Sequence, residues 1–182
     1  MSITHWPDRV ESLVEQIGAP LIQSRVMSSC ESTQDQARAM GLGSVVVTGQ
    51  QTAGRGQRGH AWFGGGDAGL AFSVVLPATR RPERSRAVAS AMVVSLGDLL
   101  PRRLRVKAPN DVLLDGRKLA GVLIEQTDDI AVIGVGINVG AMAWPPELEG
   151  QAVSLYEAGV DIERIAVLEL LLPPLVAAWS SN

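Results

Sequence analysis

Val112-Leu-Leu-Asp-Gly-Arg-Lys-Leu-Ala-Gly-Val-Leu-Ile-Glu-Gln126 reads as two apolar runs joined at Asp115-Gly116. Asp-Gly between apolar runs is among the strongest short-range hairpin signals, because both residues tolerate the positive φ a tight turn needs. Ile130 to Val139 (IAVIGVGINV) follows at once as another strand, and residues 104–107 form a short strand before the hairpin. Working outward, 70–76 (LAFSVVL) is a strand ended by Pro77, and 44–49 (SVVVTG) is a buried strand. The helical spacing of Val10, Leu13, Val14 and Ile17 predicts a helix over 8–17. Ser32 and Thr33 cap a helix running to Met40, stopped by Gly41 and Gly43. Val88, Met92, Val93 and Leu96 mark a helix over 83–100. Gln151–Ala158 and Ile162–Trp179 read as two more helices, the second broken at Pro173-Pro174. The class expected is α+β, a mixed and mainly antiparallel sheet with helices packed on it, in a single domain over 1–182.

Composition narrows the function. The 182 residues are 46% hydrophobic and 19% charged, with net charge −3, as expected of a globular protein. No apolar run approaches the roughly 18 residues of a membrane helix, and Met1 to Gln16 lacks the apolar core of a signal peptide. One cysteine, Cys30, excludes an internal disulfide and fits a cytoplasmic location. With only two histidines, a Cys/His zinc site is excluded too. Residues 1–127 carry +4 and residues 128–182 carry −7. That suits an anionic small ligand rather than a nucleic-acid groove. Fourteen of the sixteen basic residues are Arg, and the two lysines, Lys107 and Lys118, fall in one short segment.

Four segments carry chemistry. Residues 50–69 form a long glycine-rich loop, in which Gly54, Gly56 and Gly59 alternate with Arg55 and Arg58. Such a loop approaches an anion closely and adds charge-assisted donors; otherwise it is a flexible surface loop. It is not a phosphate-binding P-loop, because no Gly-Lys-Ser/Thr follows. Lys107-Ala-Pro-Asn110-Asp111 gathers a cation, an amide and a carboxylate at a strand end, which suits a nucleotide with Mg²⁺ or an ordinary turn. Lys118 opens an otherwise apolar strand, so it either snorkels or meets an anion. Gly134-Val-Gly136-Ile-Asn138 lacks the dinucleotide spacing but indicates a close approach to the strand. Cys30 and Ser32 have no base and orienting partner in the sequence; an inert thiol and a cap or ligand-binding hydroxyl fit them better.

In order and spacing, these segments resemble the catalytic domain of the biotin–protein ligases. The resemblance runs from about Ser28 to Val139. It rests on Glu31-Ser-Thr33, Gln51-Thr-Ala-Gly-Arg-Gly56, Trp62-Phe63, Gly69-Leu70 with Ser73, Lys107-x-Pro-Asn-Asp111, Arg117-Lys-Leu-Ala-Gly-Val-Leu-Ile-Glu125 and Gly134-Val-Gly-Ile-Asn138. It implies a class II synthetase-like sheet, with ATP and biotin as substrates and Mg²⁺ as cofactor. The activity implied is that of a biotin–[acetyl-CoA-carboxylase] ligase, which makes biotinyl-5′-AMP and biotinylates a lysine of a biotin carboxyl carrier protein or equivalent acceptor domain. Ser32, Thr33, Gln34 and Gln51 would bind the biotin ring and ureido group. Arg55, Gly56 and Gln57 would fold over biotin and the adenylate. Lys118 would contact the biotin carboxylate and α-phosphate. Arg58, Trp62, Lys107, Asn110 and Asn138 would hold the nucleotide. Asp111 would sit near Mg²⁺ or the acceptor lysine. Lys118, Arg55 and Asp111 are thus the catalytic candidates.

Three positions depart from the family pattern on the nucleotide side: His60 for Arg, Gly64-Gly65 for Ser-Pro, and Ala108 for Trp. The short stretch before the Ser-Thr motif predicts no winged helix-turn-helix and no DNA binding. The end at Asn182 predicts that the small C-terminal β-barrel of some members is absent or reduced, and a homodimer stays open. Rival readings are a lipoate or octanoate ligase or transferase, the transferase needing a Cys–Lys pair that Cys30 does not supply, and a biotin binder with weak or lost catalysis.

Overall fold

The computed structural model describes residues 3–100 and 104–181. In chain order the elements are α1 (Trp6–Ile17), β1 (Gln23–Met27), α2 (Thr33–Met40), β2 (Ser44–Thr48), β3 (Gly69–Pro77), α3 (Arg84–Gly97), β4 (Leu104–Lys107), β5 (Asp111–Leu114), β6 (Arg117–Gln126), β7 (Ile130–Asn138) and α4 (Arg164–Ser180). The strands form one seven-stranded sheet in the order β1-β2-β3-β7-β6-β5-β4. Only β1–β2 is parallel; every other pair is antiparallel. The sheet is therefore mixed and mainly antiparallel, as expected.

Alternation along the strands sorts side chains between two faces. Leu70, Phe72, Val74 and Leu76 of β3 and Ile133, Val135 and Ile137 of β7 join the main core with α1, α3 and α4. The opposite face carries α2, packed through Ala37 on Val46, Val75 and Val132. Strand β2 is covered from both sides and is buried throughout. Beyond α2, this second face turns small and polar: Ser73 pairs with Gly134, and Gly121 pairs with Gly136.

One irregularity matters for the site. The β5–β6 register shifts by one between Val112 and Leu113, so that Lys118 and Ala120 flank one extra residue, Leu119. Leu119 and Ala120, adjacent in sequence, both enter the main core. A bulge of this kind re-aims the side chains beyond it. Regular alternation would put Lys118 on the core face with Ala120 and Val122; the bulge turns it to the small polar face.

Two helix expectations are corrected. Gln151–Ala158 is not helical. Its backbone instead lies along the sheet: the Lys118 N–H donates to the Gln151 carbonyl at 2.8 Å and Val153 N–H donates to the Lys118 carbonyl at 3.0 Å. Leu155 and Tyr156 continue onto the carbonyls of Asn138 and Val139. Helix α4 runs unbroken through Pro173-Pro174. Each internal proline costs about 3 kcal/mol. Burial of Leu168, Leu171, Leu172, Leu175, Val176 and Trp179 outweighs that, at about 1.5–3 kcal/mol per large apolar side chain. Strand β1, absent from the sequence reading, is a half-exposed edge with no apolar alternation (QSRVM).

Candidate active site

A cavity of about 390 Å³ lies on the polar face of the sheet. Ser32, Thr33, Gln34, Gln51, Arg55, Gly56, Gln57, Arg58, Trp62, Lys107, Asn110, Asp111 and Lys118 all line it, together with His60 and Ala108. Segments spread over most of the chain thus converge. Asn138 is the exception: it does not line the cavity.

The floor crosses four strands. At one end the Thr33 and Ser73 hydroxyls are hydrogen-bonded at 2.8 Å. Gln51 Oε1 accepts from the Thr33 N–H at 2.9 Å and the Thr33 hydroxyl at 3.2 Å. Gln34 lies over Gly134, whose missing side chain makes the room: a Cβ there would stand 3.0 Å from the Gln34 amide. Gln34 Nε2 donates to the Leu123 carbonyl at 3.3 Å. Its Oε1 is buried without a partner in a residue only 4% exposed. A desolvated acceptor of this kind costs about 1–3 kcal/mol, so it has a reason to meet a donor from a ligand. Ser32 precedes α2 and is buried, but its side chain makes no capping bond.

Further along the floor, Trp62 lies across Gly136. A Cβ on Gly136 would stand 2.3 Å from the indole, so only glycine permits this contact. Lys118 Nζ sits 5.5 Å from the Trp62 ring centroid and 2.8 Å from Asp111 Oδ1. Its backbone is held by Gln151 and Val153. The buried Asn138 adds a third tie, its Nδ2 donating to the carbonyls of Lys118 at 3.2 Å and Val153 at 3.0 Å. Asn110 likewise uses its amide on a backbone carbonyl, that of Val122. Both asparagines thus fix backbone around Lys118 and Asp111.

The glycine-rich loop is more ordered than its composition suggests. Gly54 to Trp62 folds into a small hairpin: Trp62 N–H donates to Gly54, Gly56 N–H donates to His60, and Arg55 bridges Ala61. Arg58, at its tip, has a left-handed φ of 56°. The replacement of Ser-Pro by Gly64-Gly65 has a backbone reason: Gly65 has φ +62°, which proline cannot adopt. Arg55 makes a two-pronged pair with Asp35 of α2 at 2.6 and 2.7 Å, and Glu125 lies 3.8 Å away. The Arg55 guanidinium holds the Asp35 carboxyl below its ordinary range. Sequence reasoning missed Asp35, because nothing local marks it as the partner of a loop twenty residues on. Burial pushes the Cys30 thiol up, which disfavours a thiolate and leaves it inert.

Among the described residues, no group of three His, Cys, Asp or Glu side chains is arranged to hold a metal ion. Asp111 is a single carboxylate already paired with Lys118. That fits Mg²⁺ only where substrate phosphates complete its oxygen shell, its common mode in nucleotide sites. No helix among the described residues is long and apolar enough to cross a membrane.

The chain is 32% identical over 172 residues to the bifunctional ligase/repressor BirA of Bacillus subtilis, covering 87% of this chain and 53% of that protein. It is 37% identical over 135 residues to the biotin–[acetyl-CoA-carboxylase] ligase of Mycobacterium tuberculosis, covering 68% and 50% respectively. The chain thus spans about half the length of these curated relatives. The solved structure of the biotin protein ligase from Aquifex aeolicus in complex with biotin and ATP superposes with TM-score 0.76 at 28% identity, covering 89% of this chain and 71% of that one. Residues 24–140 match the biotin/lipoate A/B protein ligase family, and with that span and those relatives the chain belongs to it.

Proposed function

We propose that this chain activates biotin with ATP as biotinyl-5′-AMP and transfers it to a lysine of an acceptor domain of the acetyl-CoA carboxylase type. The observation that carries this reading is the two-ended cavity. A neutral, hydroxyl- and amide-lined end holds the unpartnered Gln34 oxygen, and an end where Lys118 and Lys107 stand about the single carboxylate of Asp111 carries a net positive charge. A cyclic urea on an aliphatic carboxylate matches that gradient. Its N–H groups supply the donor Gln34 lacks, Ser32, Thr33 and Gln51 add polar contacts, and its carboxylate reaches Lys118. The family relationship and the likeness to a biotin- and ATP-bound ligase support the same substrates.

The chemistry follows from charge. The biotin carboxylate oxygen attacks the α-phosphorus of ATP. The α–β P–O bond breaks and pyrophosphate leaves. Two unit charges 4 Å apart at an effective dielectric of about 20 repel by about 4 kcal/mol. Lys118 offsets this from its place on the cavity floor. To do so it exchanges Asp111 for the incoming anions; Asp111 would then be the residue to hold Mg²⁺, which would supply charge neutralisation at the phosphates. Trp62, Arg58 and Lys107 hold the adenylate. Arg55, Gly56 and Gln57, tethered through Asp35, form a cover that excludes water from the mixed anhydride. The neutral amine of the acceptor lysine then attacks the acyl carbon, the acyl–oxygen bond to AMP breaks, and the nitrogen gives up a proton to solvent as the amide forms.

The test is incubation with Mg–ATP, biotin and a purified biotin carboxyl carrier domain, read by acceptor mass. Gain of one biotinyl group supports the reading. Labelling with octanoate or lipoate in its place assigns the other acid of the family, and tight biotin binding without labelling leaves a binder.

A further inference from the structure

Arg164 is the only Lys or Arg after Lys118 in the chain. It opens α4 and is 6% exposed. Burying an ion costs several kcal/mol unless its partners are good, and burial does lower its pKa, offset in part by the charge of Asp67. A leucine would fill the space at less cost, so the partners matter. Arg164 Nη1 donates to the carbonyl of Gly49 at 2.6 Å and to that of Gly69 at 3.1 Å. The guanidinium rests over the Trp6 ring, 4.8 Å from its centroid, a contact worth most when desolvated.

Gly49 and Gly69 are the two stems of the glycine-rich loop. The β2–β3 ladder ends at the pair Thr48–Ala71. Beyond it, no strand pairing between β2 and β3 holds the mouth of the loop closed. Arg164 reaches both stem carbonyls with one nitrogen and takes the place of the next rung. It does so from the core side of the sheet, while the loop folds over the cavity on the other side.

We infer that Arg164 is a positioning residue of the glycine-rich loop: its buried guanidinium ties the two stems together and so sets how firmly Arg55 and Trp62 are held over the cavity. The consequence for catalysis rests on the reading of this loop as the cover of the biotin site. Gly49 keeps its N–H bond to the Met27 carbonyl and Gly69 its pairing with Asn138 of β7, so loss of the guanidinium loosens the gap between the stems without unpairing either one. Each substrate must then re-order the loop, so KM for biotin rises while kcat changes little.

Trypsin cleavage after Arg55 and Arg58, resolved by mass spectrometry without any substrate, reads loop order directly. Cleavage of a folded loop tracks the population of its open form. We expect it to be about fivefold faster or more in Arg164→Met, with Arg164→Lys in between, as one or both stem bonds are lost. Cleavage at the wild-type rate in a folded Arg164→Met protein overturns the inference. Should that variant not fold, Arg164→Lys carries the test: faster loop cleavage supports the clamp and an unchanged rate rejects it. Adding biotin separates the two readings. Protection of the wild-type loop by biotin supports the cover; faster cleavage in the variants without any biotin protection keeps the clamp and removes biotin as the ligand.

Discussion

Lys118 and Gly121 lie on one face of β6 although three positions separate them, and a Cβ on Gly121 would stand 3.4 Å from Lys118 Nζ. In a regular strand, positions three apart face opposite ways. The extra residue Leu119 reverses the phase. One bulge thus delivers the ammonium group to the cavity and Leu119 to the core.

A compact ammonium on that floor is not interchangeable with a planar guanidinium fork. Lys118→Ala is expected to reduce adenylate formation by about a hundredfold or more, the scale for loss of one preorganised charge contact. Lys118→Arg is expected to fall nearly as far, with melting temperature close to wild type in both. Steady-state adenylation rates beside thermal melts check this. An active arginine variant would reduce Lys118 to a generic positive charge.

Gly136→Ala and Gly121→Ala should differ sharply. The first places a Cβ 2.3 Å from the Trp62 indole, whereas the second places one at 3.3–3.4 Å from the Lys118 side chain and Trp62. The first must therefore expel the ring from the floor, and nucleotide affinity is expected to drop about tenfold or more, equivalent to at least about 1.4 kcal/mol. The second is expected to stay within a few-fold. Titration calorimetry separates them; equal effects would mean that Trp62 does not depend on its glycine bed.

Gln34→Met removes a buried acceptor without a partner at similar volume. It also removes the long Nε2 bond to the Leu123 carbonyl, so the two effects offset and stability is expected to stay within about 1 kcal/mol of wild type, while biotin affinity falls about tenfold. An unmoved melting temperature beside a fallen affinity marks a residue kept for its ligand. A loss of stability with unchanged affinity would make Gln34 structural.

Asp35 is held low by Arg55, so its contribution to stability is present above the ordinary carboxylate value near 3.9 and is lost as pH falls through the lower folded value. The pair is half-exposed, so the effect is small, about 0.2–1 kcal/mol. Wild type is expected to melt slightly above Asp35→Asn at pH about 6, with the gap closing below pH about 4. A gap that persists at acid pH would show that Asp35 acts through something other than its charge.

Much of this site was legible in the chain itself. The Asp115-Gly116 turn, the strand runs and the glycine-rich loop read correctly, because turn chemistry and apolar alternation are local. What stayed hidden depends on register or on distant partners. The bulge at Leu119 cannot be seen in an all-apolar run. The pairing of Gly121 with Gly136 needs the β6–β7 register. Gln151–Ala158 has helical composition, yet its backbone groups serve Lys118 and Asn138 instead. Asp35 and Arg164 act on a loop far from them in sequence.

The central claim is that Lys118 and the polar floor activate biotin. Its most direct measurement is biotin-dependent exchange of pyrophosphate into ATP by the purified chain, with no acceptor present and Lys118→Ala as control. The account predicts exchange with biotin, little with octanoate or lipoate, and a rate lower by about a hundredfold or more in the variant. Biotin bound without exchange, or exchange undiminished in Lys118→Ala, would contradict it.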